Sequence, residues 1–158
     1  MTTFLVVCFS RSGATAQLAR QLAERLEADF ETVKSATNYG GVVGYWRGIW
    51  HSLRRHNPEI SYRHNPADYD FVIIATPIWV GGLSAPIRAY LSRSGLRRCA
   101  LLYVSGSGLR FAAVAEEVER LTGHAPVATA HFSAREVGSS TAALKLDALA
   151  QAVRARVS

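Results

Sequence analysis

The chain has 158 residues, 49% hydrophobic and 19% charged, with a formal net charge of +6. Those values suit one globular domain over residues 1–158 with a sizeable core, and no Pro/Ser-rich linker, low-complexity block or repeat argues for two. The apolar runs FLVVCF (4–9) and FVIIA (71–75) are far too short to span a bilayer, and MTTFLVV has no basic stretch of a signal peptide, so a cytoplasmic protein is expected.

Residues 3–9 read as a buried strand ending in the loop Ser10-Arg11-Ser12-Gly13-Ala14-Thr15. From Thr15 the pattern turns helical, with Leu18, Leu22 and Leu26 on one side. A second strand is expected near 30–35. NYGGVVG (38–44) reads as a loop. YWRGIWHSLRR (45–55) then reads as an amphipathic helix. Trp46, Ile49, Trp50 and Leu53 pack on the sheet, opposite Arg47, Arg54 and Arg55; the alternative is that this segment caps a site or meets a partner. YDFVIIAT (69–76) is a third strand, apolar throughout its centre, which favours a parallel sheet covered on both faces. PIWVGGLSA (77–85) reads as a loop and Pro86 as the first residue of a helix whose apolar side is Ile87, Tyr90 and Leu91. CALLYVS (99–105) is a fourth strand, SGSG (105–108) a loop, 110–122 a helix, PVATAHF (126–132) a fifth strand and 141–157 a last helix with Leu146, Leu149 and Val153 inward.

Five strands alternating with helices predict an α/β fold: a three-layer, doubly wound parallel sheet in the order 2-1-3-4-5. Ligands of such sheets sit beyond the carboxyl ends of the strands at the switch point between strands 1 and 3. The loops at those ends are 10–15, 77–85 and 105–109, all of small residues, one carrying Trp79.

The first loop offers the hydroxyls of Ser10, Ser12 and Thr15, close backbone approach at Gly13 and Ala14, and a helix start with its unpaired N–H groups. A phosphate would suit it; a Ser/Thr helix cap with nothing bound is the alternative. Four phosphate sites are excluded. There is no GxxxxGK[ST], no GxGxxG, no Arg at the sixth position after Cys8 (Ala14 stands there), and no Asp at Ala75-Thr76-Pro77 where a receiver domain needs one.

What remains resembles the flavodoxin family. Ser10-Arg11-Ser12-Gly13-Ala14-Thr15 is similar to its (S/T)-x-(S/T)-G-x-T loop, which wraps the phosphate of flavin mononucleotide (FMN). Thr76-Pro77-Ile78-Trp79-Val80-Gly81, followed by Ser84 and Pro86, is similar to its strand 3 exit. The resemblance implies non-covalent FMN, with Ser10 to Thr15 on the phosphate, Pro77, Ile78, Trp79, Val80 and Gly81 on the ring, and Ser105, Gly106, Ser107 and Gly108 completing the pocket. Trp79 can stack on the flat ring, and backbone groups of 77–81 and 105–108 can bond its polar edge; the alternative is Trp79 as a core residue. The implied function is that of an electron carrier or small flavoprotein oxidoreductase, with a redox partner protein or NAD(P)H and a quinone as partner. The alternatives are an NAD(P)H:quinone-type reductase and a flavin-free interaction module. No catalytic side chain is expected, because the flavin carries the chemistry.

The chain departs from the family in three ways. The third loop lacks the Tyr many flavodoxins place over the other ring face; Phe111 or Trp46 could serve, or that face is open to substrate. The surface is basic where flavodoxins are acidic, which predicts a less negative second reduction potential. The 40–56 segment carries two tryptophans.

Cys8 and Cys99 read as strand-core thiols, without disulfide or zinc spacing. His51, His56, His64, His124 and His131 show no metal spacing, and Glu116, Glu117 and Glu119 read as a wet helix face. Arg54, Arg55, His56, Arg63 and His64 form the densest basic patch, suited to solvent, an acidic partner or a nicotinamide cofactor's phosphate. No nucleic-acid motif accompanies the charge, so no nucleic-acid partner is expected.

Overall fold

The structure, a computed structural model, describes residues 1–54, 57–106 and 112–158, without the side chains of Ser52 and Leu53. The apolar runs form the centre of the sheet. β1 (Phe4–Cys8), β5 (Phe71–Trp79) and β7 (Cys99–Ser105) pair in parallel, flanked by β2 (Asp29–Thr32) and β8 (Thr129–Ser133). The order β2-β1-β5-β7-β8 is the expected 2-1-3-4-5.

Alternate residues of each strand enter opposite layers. Val6, Cys8, Ile73, Ala75, Leu102 and Val104 meet α1 (Ala14–Leu26) and α5 (Ser140–Ala155), where Leu18, Leu22, Leu146, Leu149 and Val153 are buried. Leu5, Val7, Val72, Ile74 and Leu101 face the other layer, built with α3 (Ala85–Ser94) and α4 (Ala112–Thr122) through Ile87, Tyr90, Leu91, Val114 and Val118. Cys8 and Cys99 fall in different layers, both free and buried. Desolvation pushes their thiols up to about 12 and about 11.

Several boundaries differ from the sequence reading. The strand expected near 30–35 is divided. β2 ends at Thr32, and β3 (Lys34–Ser35) leaves the sheet to pair antiparallel with β4 (Ile60–Ser61). The supposed loop 38–44 contains the first turn of α2 (Gly41–Leu53). Gly44 and Gly48 serve contact rather than flexibility: a Cβ on Gly44 would lie 2.1 Å from the carbonyl carbon of Tyr39. That face, with Gly48 against Trp79, is the one α2 buries, so Trp46 and Trp50 point outward at 64% and 55% exposure rather than onto the sheet. The supposed loop 77–85 is a hairpin. β5 runs on to Trp79, turns at Val80-Gly81 and returns as β6 (Gly82–Leu83), and Pro86 is the second residue of α3, after Ala85.

Glu117, expected on a wet helix face, is sunk instead, and Glu31 is buried as well. Glu117 is 12% exposed and forms an ion pair with Arg88, Nε to Oε1 2.6 Å. His64 donates its amide to Glu31 at 2.6 Å and its ring also bonds that carboxylate; the Arg63 amide donates at 2.8 Å. Burial raises the Glu31 pKa, but these three bonds outweigh it and leave it below the ordinary 4.5. A carboxylate depressed in the folded state stabilises above the unfolded value and loses that contribution as pH falls through the folded one. Glu31→Gln is therefore expected to be less stable than the wild type near neutrality, the gap closing between about pH 5 and pH 3. Denaturant midpoints across that range measure it, and a constant gap would contradict it.

Candidate functional site

The β1–α1 loop places its groups by backbone conformation. Gly13 sits at φ +94°, a left-handed geometry that glycine adopts without strain, and donates its N–H to Ser10 Oγ at 2.9 Å. This bend lets α1 begin at Ala14 with Gly13 as its cap residue and no side-chain cap bond. The Ser/Thr-capped alternative is thus not what the chain adopts. The first-turn N–H groups and the positive end of α1 remain available to a ligand.

Those groups open into a cavity of 440 Å³ at the carboxyl ends of β1, β5 and β7, within the range of about 300–1,000 Å³ usual for ligand sites. Of the expected residues, Arg11, Ser12, Ala14, Thr15, Pro77, Ile78, Trp79, Val80 and Gly106 line it. Ser10, Gly13 and Gly81 stand behind, shaping the first loop and the hairpin turn. Ser105 is buried in β7, its hydroxyl 2.8 Å from His131 Nε2. Ser107, Gly108, Arg110 and Phe111 lie outside the described residues.

The hairpin is held under strain. Val80 (φ +52°) and Gly81 (φ +74°) form a two-residue turn with both φ positive. That geometry costs a β-branched residue about 1–3 kcal/mol, and such strain gathers at binding sites. The compensating clamp lies beyond the turn. Leu83 donates its N–H to Glu117 Oε2 (3.1 Å) and its carbonyl accepts from Arg88 Nη2 (3.2 Å). The buried ion pair therefore occupies both peptide groups of Leu83, as a neighbouring strand would.

Trp79 is at once wall and packed residue. Its ring centroid lies 5.6 Å from that of Phe9 and 4.9 Å from that of Tyr39, and Gly48 backs it at 3.4 Å from its would-be Cβ. Tyr39 is itself fixed by a 2.8 Å bond from its hydroxyl to His51 Nδ1. So a core does exist at this strand end, and it immobilises the indole that lines the cavity.

The sequence offered a site role for the 40–56 segment only as an alternative and did not single out the α2 residues that line the cavity: Gly44, Tyr45, Gly48 and Ile49. The Gly44–Gly48 spacing of four was the available signal, obscured by reading 38–44 as a loop. Arg11 and Tyr45 both line the cavity, the guanidinium stacked 5.4 Å from the ring centroid. The cavity thus pairs an electropositive, hydroxyl-lined end with apolar and aromatic walls. Of the supposed basic patch, Arg54 stacks on Trp50 and His64 is tied to Glu31, while Arg55 and His56 lie outside the described residues. Among the described residues no group of three or more His, Cys, Asp or Glu could hold a metal ion, and no helix is long and apolar enough to cross a membrane.

Comparison with known proteins agrees with this architecture. No curated protein matches significantly. A flavoprotein from Lactobacillus acidophilus, solved in complex with FMN, superposes with a TM-score of 0.71 at 19% identity, covering 87% of this chain and 97% of its own. Candidate flavoproteins from Bacteroides eggerthii (TM-score 0.74, 20% identity, 95% and 99% covered) and Bacteroides uniformis (0.75, 21%, 97% and 98%) share the fold. The model of the flavodoxin family matches residues 3–129, four-fifths of the sequence, and the chain belongs to that family.

Proposed function

We propose that the chain binds FMN non-covalently and passes electrons through it. One observation carries this reading: the uncapped start of α1 and the immobilised indole of Trp79 line a single cavity. The donor set fits the group from end to end. Ser10, Arg11, Ser12, Gly13, Ala14 and Thr15 take the phosphate, whose charge the helix start and the Arg11 guanidinium offset. Pro77, Ile78, Trp79, Val80 and Gly81 take the flat ring, in a cavity that Tyr45 and Ile49 also line. Gly106, just beyond the end of β7, completes the enclosure. Bound FMN supplies the one- and two-electron chemistry, while the chain orients it and keeps water from its apolar faces.

The visible spectrum of the purified protein, before and after FMN addition and desalting, tests this. Oxidised-flavin bands are expected to survive desalting. Ser12→Asp, which sets a carboxylate beside the phosphate from an exposed position, is expected to weaken FMN about hundredfold, roughly 3 kcal/mol, and to leave riboflavin, which lacks the phosphate, unchanged. Equal loss of both ligands would remove the phosphate from this loop. A colourless protein that ignores added FMN would overturn the redox reading and leave an interaction module on this fold. NAD(P)H oxidation with a quinone, by the protein alone, separates a reductase from a carrier that needs a redox partner protein.

A further inference from the structure

The outer face of α2 has no function in the site just described. Val42, Trp46 and Trp50 follow one another at intervals of four and form one line along the helix, 76%, 64% and 55% exposed. Val43 and Tyr45 widen this stripe, and Val80, on the cavity wall, adds an exposed side chain at the mouth. The charged side chains beside the stripe are cationic. Arg54 stacks 4.3 Å over Trp50, Arg47 reaches the Asn38 carbonyl at 2.7 Å from the same helix, and Arg11 stacks on Tyr45. Residues 32–58 contain Lys34, Arg47, Arg54 and Arg55 and no Asp or Glu.

We propose that α2 docks the protein on an anionic lipid bilayer, with the mouth of the cavity facing the membrane surface. Aliphatic side chains enter the acyl boundary, Trp and Tyr rings sit at the headgroup level, and Arg meets lipid phosphates; this is the composition of a helix lying in the interface plane. Charge complementarity selects the occupant. A second copy placed by two-fold symmetry would bring the arginines flanking one stripe against those flanking the other. A folded acidic partner would ordinarily exchange about ten hydrogen bonds, yet the exposed residues of the stripe offer few directional polar groups besides arginine. A bilayer requires none.

The test is co-sedimentation of the full chain with vesicles of phosphatidylglycerol and phosphatidylcholine, and with phosphatidylcholine alone. The wild type is expected to pellet with the anionic vesicles, with a blue shift of tryptophan emission, and to be released by high salt. Trp46→Ser/Trp50→Ser is expected to bind at least about tenfold more weakly. Both positions are exposed, so the circular dichroism of the double variant should match the wild type. A wild type that stays in the supernatant overturns the proposal. Equal pelleting of the double variant overturns the role of α2. A wild-type dimer in light scattering that the double variant dissolves assigns the stripe to a second copy. None of these readouts uses flavin, so a failure of the FMN reading would leave them standing.

Discussion

Arg88→Met is expected to be the most destabilising single change around the site, by about 3–5 kcal/mol, because it leaves the buried Glu117 carboxylate only the half-exposed Arg120 guanidinium, 3.8 Å away, as countercharge. For a chain of this size that is a fall of roughly 6–20 °C in melting temperature. Arg88→Met/Glu117→Leu should recover only part of the loss. The poorly compensated charge is gone, but the N–H and carbonyl of Leu83 still lack the partners that the ion pair provides. Melts of the three proteins measure this. A single variant within about 1 kcal/mol of the wild type would show that the pair does not hold the hairpin. Since β6 ends the turn carrying Val80 and Gly81, the loss should reach the cavity, and FMN titration of the folded variant should show weaker binding.

Gly44→Ala makes a prediction whose sign separates two accounts. By helix propensity alone, Ala in place of Gly gains about 1 kcal/mol. By contact, the new methyl would overlap the Tyr39 carbonyl carbon, 2.1 Å away, and main chain has no rotamer by which to yield. The contact should win. Helix α2 is expected to lift from Tyr39, with a net loss of about 1–3 kcal/mol. The wall of Gly44, Tyr45, Gly48 and Ile49 retreats with it. Chemical denaturation and FMN titration should both register the change, and a stabilised variant would refute the close approach.

The sheet and its helices are legible in the sequence because buried parallel strands are continuous apolar runs and α1 and α5 have clear apolar stripes. The two ligand-facing segments are less so. Periodicity reports that α2 has two faces but not which one is buried. The large residues suggested the tryptophans, whereas the sheet side needed the glycines, since only a bare backbone fits against Tyr39 and Trp79. The 77–85 hairpin was hidden because Pro77 and Gly81-Gly82 are ordinary loop signals, and the clamp that stabilises it comes from Arg88 and Glu117, 29 residues apart. Sequence spacing cannot show that such a distant carboxylate turns inward. The first loop was legible for the opposite reason: its chemistry is local, set by one glycine, neighbouring hydroxyls and the helix that follows.

The placement of Cys8 and Cys99 gives the molecule a built-in reporter of its own opening. The two thiols lie on opposite sides of the sheet, each protonated at neutral pH and screened from solvent. A thiol reagent can therefore reach them only when the layer above each one separates. The labelling rates of the two sites would time the opening of each layer separately, and a common rate would mean that the two halves of the core come apart as one unit.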